Sequence, residues 1–471
     1  MPFWTLRRLA AALAGADPAE PTPARALHTS AHDDRAIVGI STDTRSVLPG
    51  DAFLALSGDT FDGHDFLAKA VEAGAIAVIV SRPEAATGLG VPVFTVDNTL
   101  QALGRLARYR RRAWGRPVVA IGGSNGKTST KDLVRAALGA RLTVHATAGN
   151  LNNQVGVPQT LLAIPDDADV AVVEMGTSLP GEMALLRDIG VPDIVVITSI
   201  GEEHLEGLGS VAGVLAEEGA LADGAPLALV PAHETALIEV VRRRARSVRT
   251  VGLEPAAPGQ HSAGDAFGAS AHGLHADGRG WLTLGAVRVE VPLLGDHNLR
   301  NAMLALAVAQ ACGVASEEAA AGIARLAPPA MRSNSRTLGR ALLINDAYNS
   351  NPPSARAALD LLAAMGKGRP MVAVIGTMRE LGPHAAELHR EIAQRALSGP
   401  AVLIAGIGEM GEALRSLAPA DPRVITAPDP EALWPLLEPR LPVDACILLK
   451  ASRGVKLERI VPQLEGWAAR Q

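Results

Sequence analysis

Short, continuous apolar runs alternate along this chain with longer segments of helical periodicity. The runs that predict strands are AIAVIV (75–80), VVAI (118–121), VAVVEM (170–175), IVVIT (194–198), LLIND (342–346), MVAVIG (371–376), AVLIAG (401–406) and ACILLK (445–450). Because these runs are continuous rather than alternating, they indicate strands that are buried on both faces, and the helices between them indicate parallel sheets. The pattern therefore predicts an α/β protein.

Two breaks in this pattern predict domain boundaries. A helical segment, TLQALGRLARYRRRAWGRP, runs into Pro117 just before a strand, and Pro328 and Pro329 interrupt a second helical stretch. A chain of 471 residues is also too long for one ordinary core. We predict three domains, namely a smaller N-terminal α/β domain (1–113), a central P-loop parallel-sheet domain (114–328) and a Rossmann-like C-terminal domain (329–471).

Composition and charge narrow the class of protein. Acidic residues number 49 and basic residues 44, so no global positive field points to nucleic acid. Cys312 and Cys446 have no metal-ligand spacing and fit a reducing compartment. No apolar run is long enough to cross a bilayer, and arginines interrupt the N-terminal stretch MPFWTLRRLAAALAGA, which predicts an amphipathic helix rather than a signal peptide. We expect a soluble, cytoplasmic, monomeric protein without nucleic-acid or membrane partners.

The stretch GGSNGKTST follows a predicted buried strand and opens a predicted helix around Thr128. It resembles a phosphate-binding loop, although Ile121 stands where the full G-x-x-x-x-G-K-[ST] pattern has its first glycine. Backbone N–H groups and the helix N-terminus would face phosphates, Lys127 would reach the β- and γ-phosphates, and the Thr128 hydroxyl would bind Mg²⁺. The competing interpretation is an ordinary glycine-rich turn.

Two further strand ends carry side chains that suit a metal. Glu174 ends VAVVE, and His204 follows IVVITSIGEE. The carboxyl ends of parallel strands are where such sheets bind ligands, and Mg²⁺ prefers one or two carboxylates together with phosphates. Each residue taken alone also fits a surface position without a function.

Three other groups are candidate ligand contacts. Asn298 and Asn301 share one helix face and are suited to an adenine edge, although Asn298 also fits a helix cap. Asp346 ends a strand in the C-terminal part. Lys450, Ser452 and Arg453 follow the last buried strand and suit an anionic group such as a carboxylate, or are ordinary solvated charges.

The ordered set of motifs resembles the Mur ligases. The segments that carry the resemblance are GGSNGKTSTKDLV, GNLNNQVGVPQTLL, VVEMGTS, HLEGLGS, GDHNLRNAMLA, NDAYNSNPPS and LKASRG, together with an N-terminal ISTDTRSVLPGDAFLALSGDTFDGHDF that is similar to the UDP-substrate domain of that family. The resemblance implies an ATP- and Mg²⁺-dependent, ADP-forming ligase of cytoplasmic peptidoglycan precursor synthesis, and hence of cell wall biogenesis, cell shape and division. It implies that D-alanyl-D-alanine is joined to UDP-N-acetylmuramoyl-tripeptide through an acyl phosphate.

The same resemblance implies roles for individual residues. Catalysis falls to Lys127, Glu174 and His204. Nucleotide contacts fall to Gly123, Ser124, Asn125, Gly126, Lys127, Thr128, Ser129, Asn150, Asn298, Asn301, Arg332 and Asp346. Contacts with the other substrates fall to Arg45, Ser46, Asn152, Asn153, Tyr348, Asn349, Lys450, Ser452 and Arg453. The metal ligands would be Thr128, Glu174, His204 and Glu218.

The chain departs from the family pattern after the histidine motif. Glu218 stands where the family has a lysine that is carbamylated to bind a metal, and Ala220 and Asn334 each stand where a glutamate is usual. A glutamate offers the same two oxygens on a shorter stem, so Glu218 would bind Mg²⁺ through water or after a small backbone shift. The competing interpretation is an exposed helix residue without a ligand.

Three other functions compete with this interpretation. A folylpolyglutamate-synthase-like ligase shares the loop and the acyl-phosphate chemistry, but the UDP-type N-terminal segment and DAYNSNP disfavour it. A switch GTPase needs an N-K-x-D element, and the chain contains no Asn-Lys pair. A non-catalytic ATP-binding scaffold is supported by the missing lysine alone. The third residue of the tripeptide, diaminopimelate or lysine, stays open.

Overall fold

The computed structural model describes residues 3–18, 34–58, 60–254, 266–329 and 331–471. The fold is α/β with parallel sheets, as the sequence predicts. It divides into two compact units: the first comprises Met1–Ala120, His145–Met175 and Ala184–Asp193, and the second Ile121–Val144, Gly176–Met183 and Ile194–Gln471. The three domain boundaries given above remain predictions. Within the described residues no helix has the length and apolar character needed to cross a membrane.

The N-terminal region is a small parallel sheet flanked by helices. Its elements are strands β1 Trp4–Thr5, β2 Ala36–Ile37, β3 Ile40–Ser41, β4 Ala52–Leu54, β5 Ala77–Val80 and β6 Val93–Thr95, and helices α1 Leu6–Leu13, α2 Leu67–Glu72 and α3 Thr99–Trp114. Strands β3 to β6 form a parallel sheet in chain order. The side chain of Asn98 caps α3, and Gly115 ends that helix in a left-handed conformation (φ +71°), so the predicted helix stops just before Pro117.

The central region carries the glycine-rich loop. Its strands are β7 Val118–Gly122, β8 Val144–Ala146, β9 Val170–Glu174, β10 Ile194–Ile197, β11 Leu227–Pro231, β12 Val248–Gly252, β13 Ala266–Gly268, β14 Ala271–Leu274, β15 Arg279–Leu284 and β16 Val287–Leu294. Its helices are α4 Lys127–Leu138, α5 Gly156–Leu162, α6 Glu182–Gly190, α7 Leu205–Leu208, α8 Val211–Gly219, α9 Thr235–Arg242, α10 Asp296–Ala311 and α11 Ser316–Ala324. Strands β10 to β13 are parallel, and β14 to β16 form a separate antiparallel sheet. The Gly/Ala/His-rich segment from Glu254 to Gly280, which precedes WLTLGAVRVEVPLL, is predicted from the sequence to form a loop and a hairpin; residues 255–265 of it lie outside the described residues.

The C-terminal region is a six-stranded sheet that is parallel except for one antiparallel edge strand, with helices on both faces. Its elements are β17 Asn334–Leu338, β18 Ala341–Asp346, β19 Met371–Gly376, β20 Leu403–Ile407, β21 Val424–Ala427 and β22 Cys446–Lys450, with helices α12 Pro352–Met365, α13 Ala385–Ser398, α14 Glu409–Leu417, α15 Pro430–Leu437 and α16 Val461–Ala468. The strand order is β17-β18-β22-β19-β20-β21. One apolar cluster holds α12, α13 and α14 on the sheet, and another holds α15 and α16. Because β22 lies between β18 and β19, Asp346 and Lys450 are direct partners at the carboxyl ends of adjacent strands, where open α/β sheets bind ligands.

Candidate nucleotide and substrate site

The glycine-rich loop connects β7 to α4, which begins at Lys127, one residue before the predicted start. Gly123 and Gly126 have φ of +111° and +88°, which favour glycine. A Cβ at Gly126 would lie 2.7 Å from Asn301 Oδ1, and one at Gly123 would meet Thr198. Both loop glycines are therefore required by backbone conformation and by close neighbours.

The residues that follow β10 form hydrogen bonds with the glycine-rich loop. Thr198 Oγ1 donates to the Asn125 carbonyl at 2.6 Å, and the Thr198 N–H donates to the Gly122 carbonyl at 3.0 Å. The N–H of Ser124 donates to the Ser199 carbonyl (2.8 Å), and that of Asn125 to Ser199 Oγ (2.9 Å). These contacts fix the loop so that it leads directly into the N-terminus of α4, an end of a helix that favours anions.

Lys127 is folded back onto its own loop. Its Nζ donates to the carbonyls of Gly123 (2.5 Å) and Ser124 (3.3 Å), and it lies 3.5 Å from Glu203 Oε1. Burial raises the pKa of Glu203, and the positive charge of Lys127 opposes that rise. Sequence reasoning missed Glu203; its signal was the run of charged residues, GEEH, directly after a buried strand.

Glu218 lies on α8 with 1% of its surface exposed, so the interpretation as an exposed helix residue is wrong. Its Oε2 accepts a hydrogen bond from the Gly123 N–H at 2.7 Å. Burial raises its pKa to about 7, with Lys127 lowering it and Glu203 raising it further. Glu218 therefore contacts the glycine-rich loop directly.

His204 directly precedes α7, at its N-cap position, and adopts a left-handed backbone conformation (φ +50°). Its Nδ1 lies 2.5 Å from Glu380 Oε2, and its Nε2 lies 3.8 Å from Glu203 Oε2. Burial lowers the pKa of His204, but the carboxylates of Glu380 and Glu203 outweigh burial, so the pKa is raised.

No group of three or more His, Cys, Asp or Glu side chains within the described ranges is arranged to hold a metal ion. The assignment of Thr128, Glu174, His204 and Glu218 as metal ligands remains a prediction. The donor set still fits Mg²⁺, because this ion takes one or two carboxylates and completes its shell with phosphate oxygens and water.

Glu174 and the predicted peptide-facing asparagines lie in the first compact unit. Glu174 ends β9, its Oε1 accepts from Asn152 Nδ2 at 3.0 Å, and its N–H donates to Thr147 Oγ1 at 2.9 Å. Asn153 Oδ1 accepts from the N–H groups of Val155 and Gly156 at the start of α5, a structural role that the sequence did not predict. Asn150 is exposed beside them.

The predicted UDP-substrate residues lie in the turn after β3, also in the first unit. Arg45 pairs with Asp43 at 2.6 Å, and Ser46 Oγ donates to the Asp43 carbonyl at 3.0 Å. In the same turn, Thr42 Oγ1 accepts from Gln159 Nε2 at 2.9 Å. That bond places the turn next to α5, the helix that follows Asn152 and Asn153.

Asn298 and Asn301 are both buried in the first turns of α10. The helix is capped by Gly295 without a side-chain bond, so the interpretation of Asn298 as a helix cap is wrong. Asn298 Nδ2 donates to the Leu294 carbonyl (2.9 Å), and its Oδ1 accepts from Asn301 Nδ2 (3.0 Å). Asn301 lies against Gly126, so this pair supports the loop; its contact with adenine remains a prediction.

The predicted C-terminal residues form one cluster at the ends of β18 and β22. Lys450 Nζ lies 2.6 Å from Asp346 Oδ2 and donates to the Asn349 carbonyl at 2.7 Å. Ser452 Oγ donates to the Ser350 carbonyl at 3.0 Å. The guanidinium carbons of Arg332 and Arg453 lie 3.9 and 6.0 Å from the ring centre of Tyr348. The fold therefore brings together every residue predicted in this part of the chain.

Three family models match the chain in order. They are the Mur ligase family catalytic domain at residues 36–111, the Mur ligase middle domain at 121–309 and the Mur ligase glutamate ligase domain at 332–453.

Relatives of known function span nearly the whole chain. The UDP-N-acetylmuramoyl-tripeptide–D-alanyl-D-alanine ligase of Bacillus subtilis is 34% identical over 92% of this chain and 94% of its own length. That of Escherichia coli is 32% identical over the same shares.

Solved structures of MurF ligases are also similar to this chain over nearly its whole length. MurF from Acinetobacter baumannii superposes with a TM-score of 0.83 at 28% identity, covering 98% of this chain and 99% of its own. MurF ligase from Thermotoga maritima in complex with ADP gives 0.78 at 25% identity, covering 92% of this chain and 98% of its own. From these similarities over nearly its full length, we conclude that the chain belongs to the Mur ligase family.

Proposed function

We propose that this chain is the ATP-dependent ligase that joins D-alanyl-D-alanine to UDP-N-acetylmuramoyl-tripeptide in cytoplasmic peptidoglycan precursor synthesis. One observation carries the proposal: the Bacillus subtilis and Escherichia coli ligases named for that activity are 34% and 32% identical to this chain over 92% of its length. The glycine-rich loop agrees with a nucleotide site, and Arg453 of the C-terminal cluster agrees with a site for an anionic substrate.

The first step would activate a poor electrophile. An oxygen of the terminal tripeptide carboxylate attacks the γ-phosphorus of ATP, the bond to the bridging oxygen breaks, and ADP leaves. The product is an acyl phosphate. The chain's part is to position the reactants and to neutralise charge: Lys127 exchanges loop carbonyls for phosphate oxygens, and the N-terminus of α4 faces the same anion. Mg²⁺, when bound, would further neutralise the phosphate charge.

The second step would form the amide. The dipeptide amine attacks the carbonyl carbon, a tetrahedral intermediate forms, and inorganic phosphate leaves with one oxygen from the original carboxylate. In the C-terminal cluster, Arg453 lies 6.0 Å from the Tyr348 ring centre and would suit the carboxylate of the incoming dipeptide, while Arg332 would contact the nucleotide. These residue roles are part of the proposal.

The experiment is an ADP-release assay in which each substrate is omitted in turn. Sustained turnover should require ATP, the UDP-tripeptide and D-alanyl-D-alanine together. Turnover with a folate and glutamate would favour the folylpolyglutamate-synthase-like alternative. ADP release without any acceptor would indicate a plain ATPase, and ADP binding without turnover would indicate a scaffold.

A further inference from the structure

The segment from Ile200 to Glu206, called here the connector loop, sends three consecutive side chains to three different places. Glu202 accepts from Arg356 Nη2 of α12 at 2.9 Å. Glu203 faces Lys127 of the glycine-rich loop at 3.5 Å, and His204 faces Glu380, which follows β19, at 2.5 Å. The loop therefore connects the nucleotide loop with two elements of the C-terminal region.

The contact between His204 and Glu380 is fixed by backbone as well as by side chains. Both residues have positive φ, +50° and +64°, a conformation that costs free energy in non-glycine residues and persists where the surroundings enforce it. The N–H of Glu206 donates to the Glu380 carbonyl at 3.1 Å. A Cβ at Gly382 would lie 3.0 Å from the Glu206 Cα, so the two segments are in close contact.

Apolar packing holds the same junction. Leu205 and Leu208 of α7 belong to one buried cluster with Met378 and Leu381, which flank Glu380 in sequence. The backbone on either side of Glu380 is therefore held against α7 by a packed surface, while 57% of the Glu380 side chain is exposed.

The position of Glu380 determines which ring nitrogen of His204 is left to contact a ligand. The Glu380 carboxylate lies 2.5 Å from Nδ1, a proximity that favours a proton on that nitrogen, and Nε2 lies 3.8 Å from Glu203, the residue that faces Lys127. Histidines that bind metals are commonly oriented in this way, by a carboxylate on the other ring nitrogen.

We propose that Glu380 is a positioning residue for His204: it holds the imidazole with Nε2 facing the phosphate site, so that the C-terminal region completes the Mg²⁺–nucleotide site. The inference rests on the proposed function only in placing His204 beside bound nucleotide. It can be tested without either peptide substrate, so its failure is distinguishable from failure of the ligase assignment.

The experiment measures ADP affinity by calorimetry across a magnesium titration for the full chain and for Glu380→Ala. The Mg²⁺ concentration that gives half of the affinity gain should rise by about tenfold or more, because loss of such an orienting partner typically costs about 10–100-fold in metal affinity. ADP affinity without Mg²⁺ should not change. Glu380→Asp should recover part of the effect.

Two control variants distinguish the orientation of His204 from a general effect of contact between the connector loop and the C-terminal region. Arg356→Ala removes the side-chain contact between Glu202 of the connector loop and α12, yet it leaves the contact between His204 and Glu380 in place. Glu412→Ala removes an exposed carboxylate on α14 of the same region. Neither variant should shift the magnesium titration.

A double-mutant cycle closes the test. In a His204→Ala background, Glu380→Ala should have no further effect on the magnesium dependence. The inference is wrong if Glu380→Ala leaves the titration unchanged, if Arg356→Ala shifts it equally, or if the Glu380 effect persists without His204.

Discussion

Two lysines lie near the ends of buried strands but have different partners. Lys127 is in the glycine-rich loop that follows β7, and Lys450 is the last residue of β22, in the C-terminal cluster. The 2.5 Å contact of Lys127 is with a neutral carbonyl oxygen of its own loop, and the carboxylate of Glu203 lies farther away, at 3.5 Å. The 2.6 Å contact of Lys450 is with the carboxylate of Asp346, and only 4% of the lysine side chain is exposed. A neutral partner is easily exchanged for a phosphate oxygen, whereas a buried ion pair is costly to separate. We therefore expect Lys127 to act mainly in chemistry and Lys450 to contribute mainly to structure.

The largest effect is expected from breaking the buried pair. Lys450→Met leaves the Asp346 carboxylate with its hydrogen bonds from Ser333 but without its positively charged partner, and should lower the free energy of unfolding by about 3–5 kcal/mol. Denaturant unfolding would measure the loss. Adding Asp346→Asn should restore most of the stability because no buried charge is then left unpaired. If Lys450→Met alone were as stable as the unmodified chain, Lys450 would not have the structural role that distinguishes it here from Lys127.

Lys127→Ala should have the opposite profile. It removes a group beside the charge that develops on the transferred phosphoryl, so kcat should fall about 10²–10³-fold, a cost of about 3–4 kcal/mol in the barrier. The free energy of unfolding should change little. Arg135→Ala, an exposed residue on the same helix, is the control and should leave kcat unchanged. Near-normal turnover in Lys127→Ala would show that the loop is misassigned.

A third prediction compares two adjacent buried glutamates of α8. Glu217 accepts hydrogen bonds from Thr177 Oγ1 and from the N–H groups of Gly181 and Met183. Glu218 has a hydrogen bond from Gly123, and burial raises its pKa from 4.5 to about 7. A carboxyl group with a raised pKa in the folded state stabilises the fold fully below pH 4.5, and that contribution is lost as the pH rises to 7.

Glu218→Gln removes this titration. The stability of the variant relative to the unmodified chain should therefore increase between pH 4.5 and pH 7 by a few kcal/mol, on the order of 3. Denaturant unfolding at several pH values would measure the change. A difference that is constant across this range would mean that Glu218 is already ionised in the folded protein.

The smallest effect concerns the predicted metal role of Glu218. A glutamate needs no carbon dioxide to provide a carboxylate, so activity should not depend on bicarbonate. Glu218→Ala should raise the Mg²⁺ requirement or lower kcat by about tenfold, since loss of one charged ligand costs at least ~1.4 kcal/mol. A magnesium titration indistinguishable from that of the unmodified chain would remove Glu218 from the metal site and leave it as a support for Gly123.

What the sequence predicted follows from local rules. Each buried run became a strand within a few residues, and the residues at strand ends, such as Asp346 and Lys450, came together because parallel strands share one edge. The start of α4 followed from the glycine-rich pattern. Motif spacing alone could not place Asn301 against Gly126, because that contact depends on how α10 packs.

The missed residues depend on long-range contacts. In the sequence, Glu203 is one of several charged residues after a strand, and nothing marks it as a partner of Lys127. Glu380 lies in a loop of the C-terminal region, and its contact with His204 cannot be predicted from the local hydrophobic pattern. The structural role of Asn153 was hidden for a related reason, since an asparagine in a family motif and one that holds the start of a helix look alike in sequence. Glu218 differs from a surface glutamate in its burial, which the residue type alone does not reveal.

The measurement that tests the central claim most directly follows the oxygen atoms. The UDP-tripeptide is labelled with ¹⁸O at both oxygens of its terminal carboxylate and incubated with the chain, ATP, Mg²⁺ and D-alanyl-D-alanine. Phosphate and the amide product are then analysed by mass spectrometry. The acyl-phosphate account predicts one labelled oxygen in each molecule of phosphate and one in the new amide carbonyl. Amide product with unlabelled phosphate would contradict it.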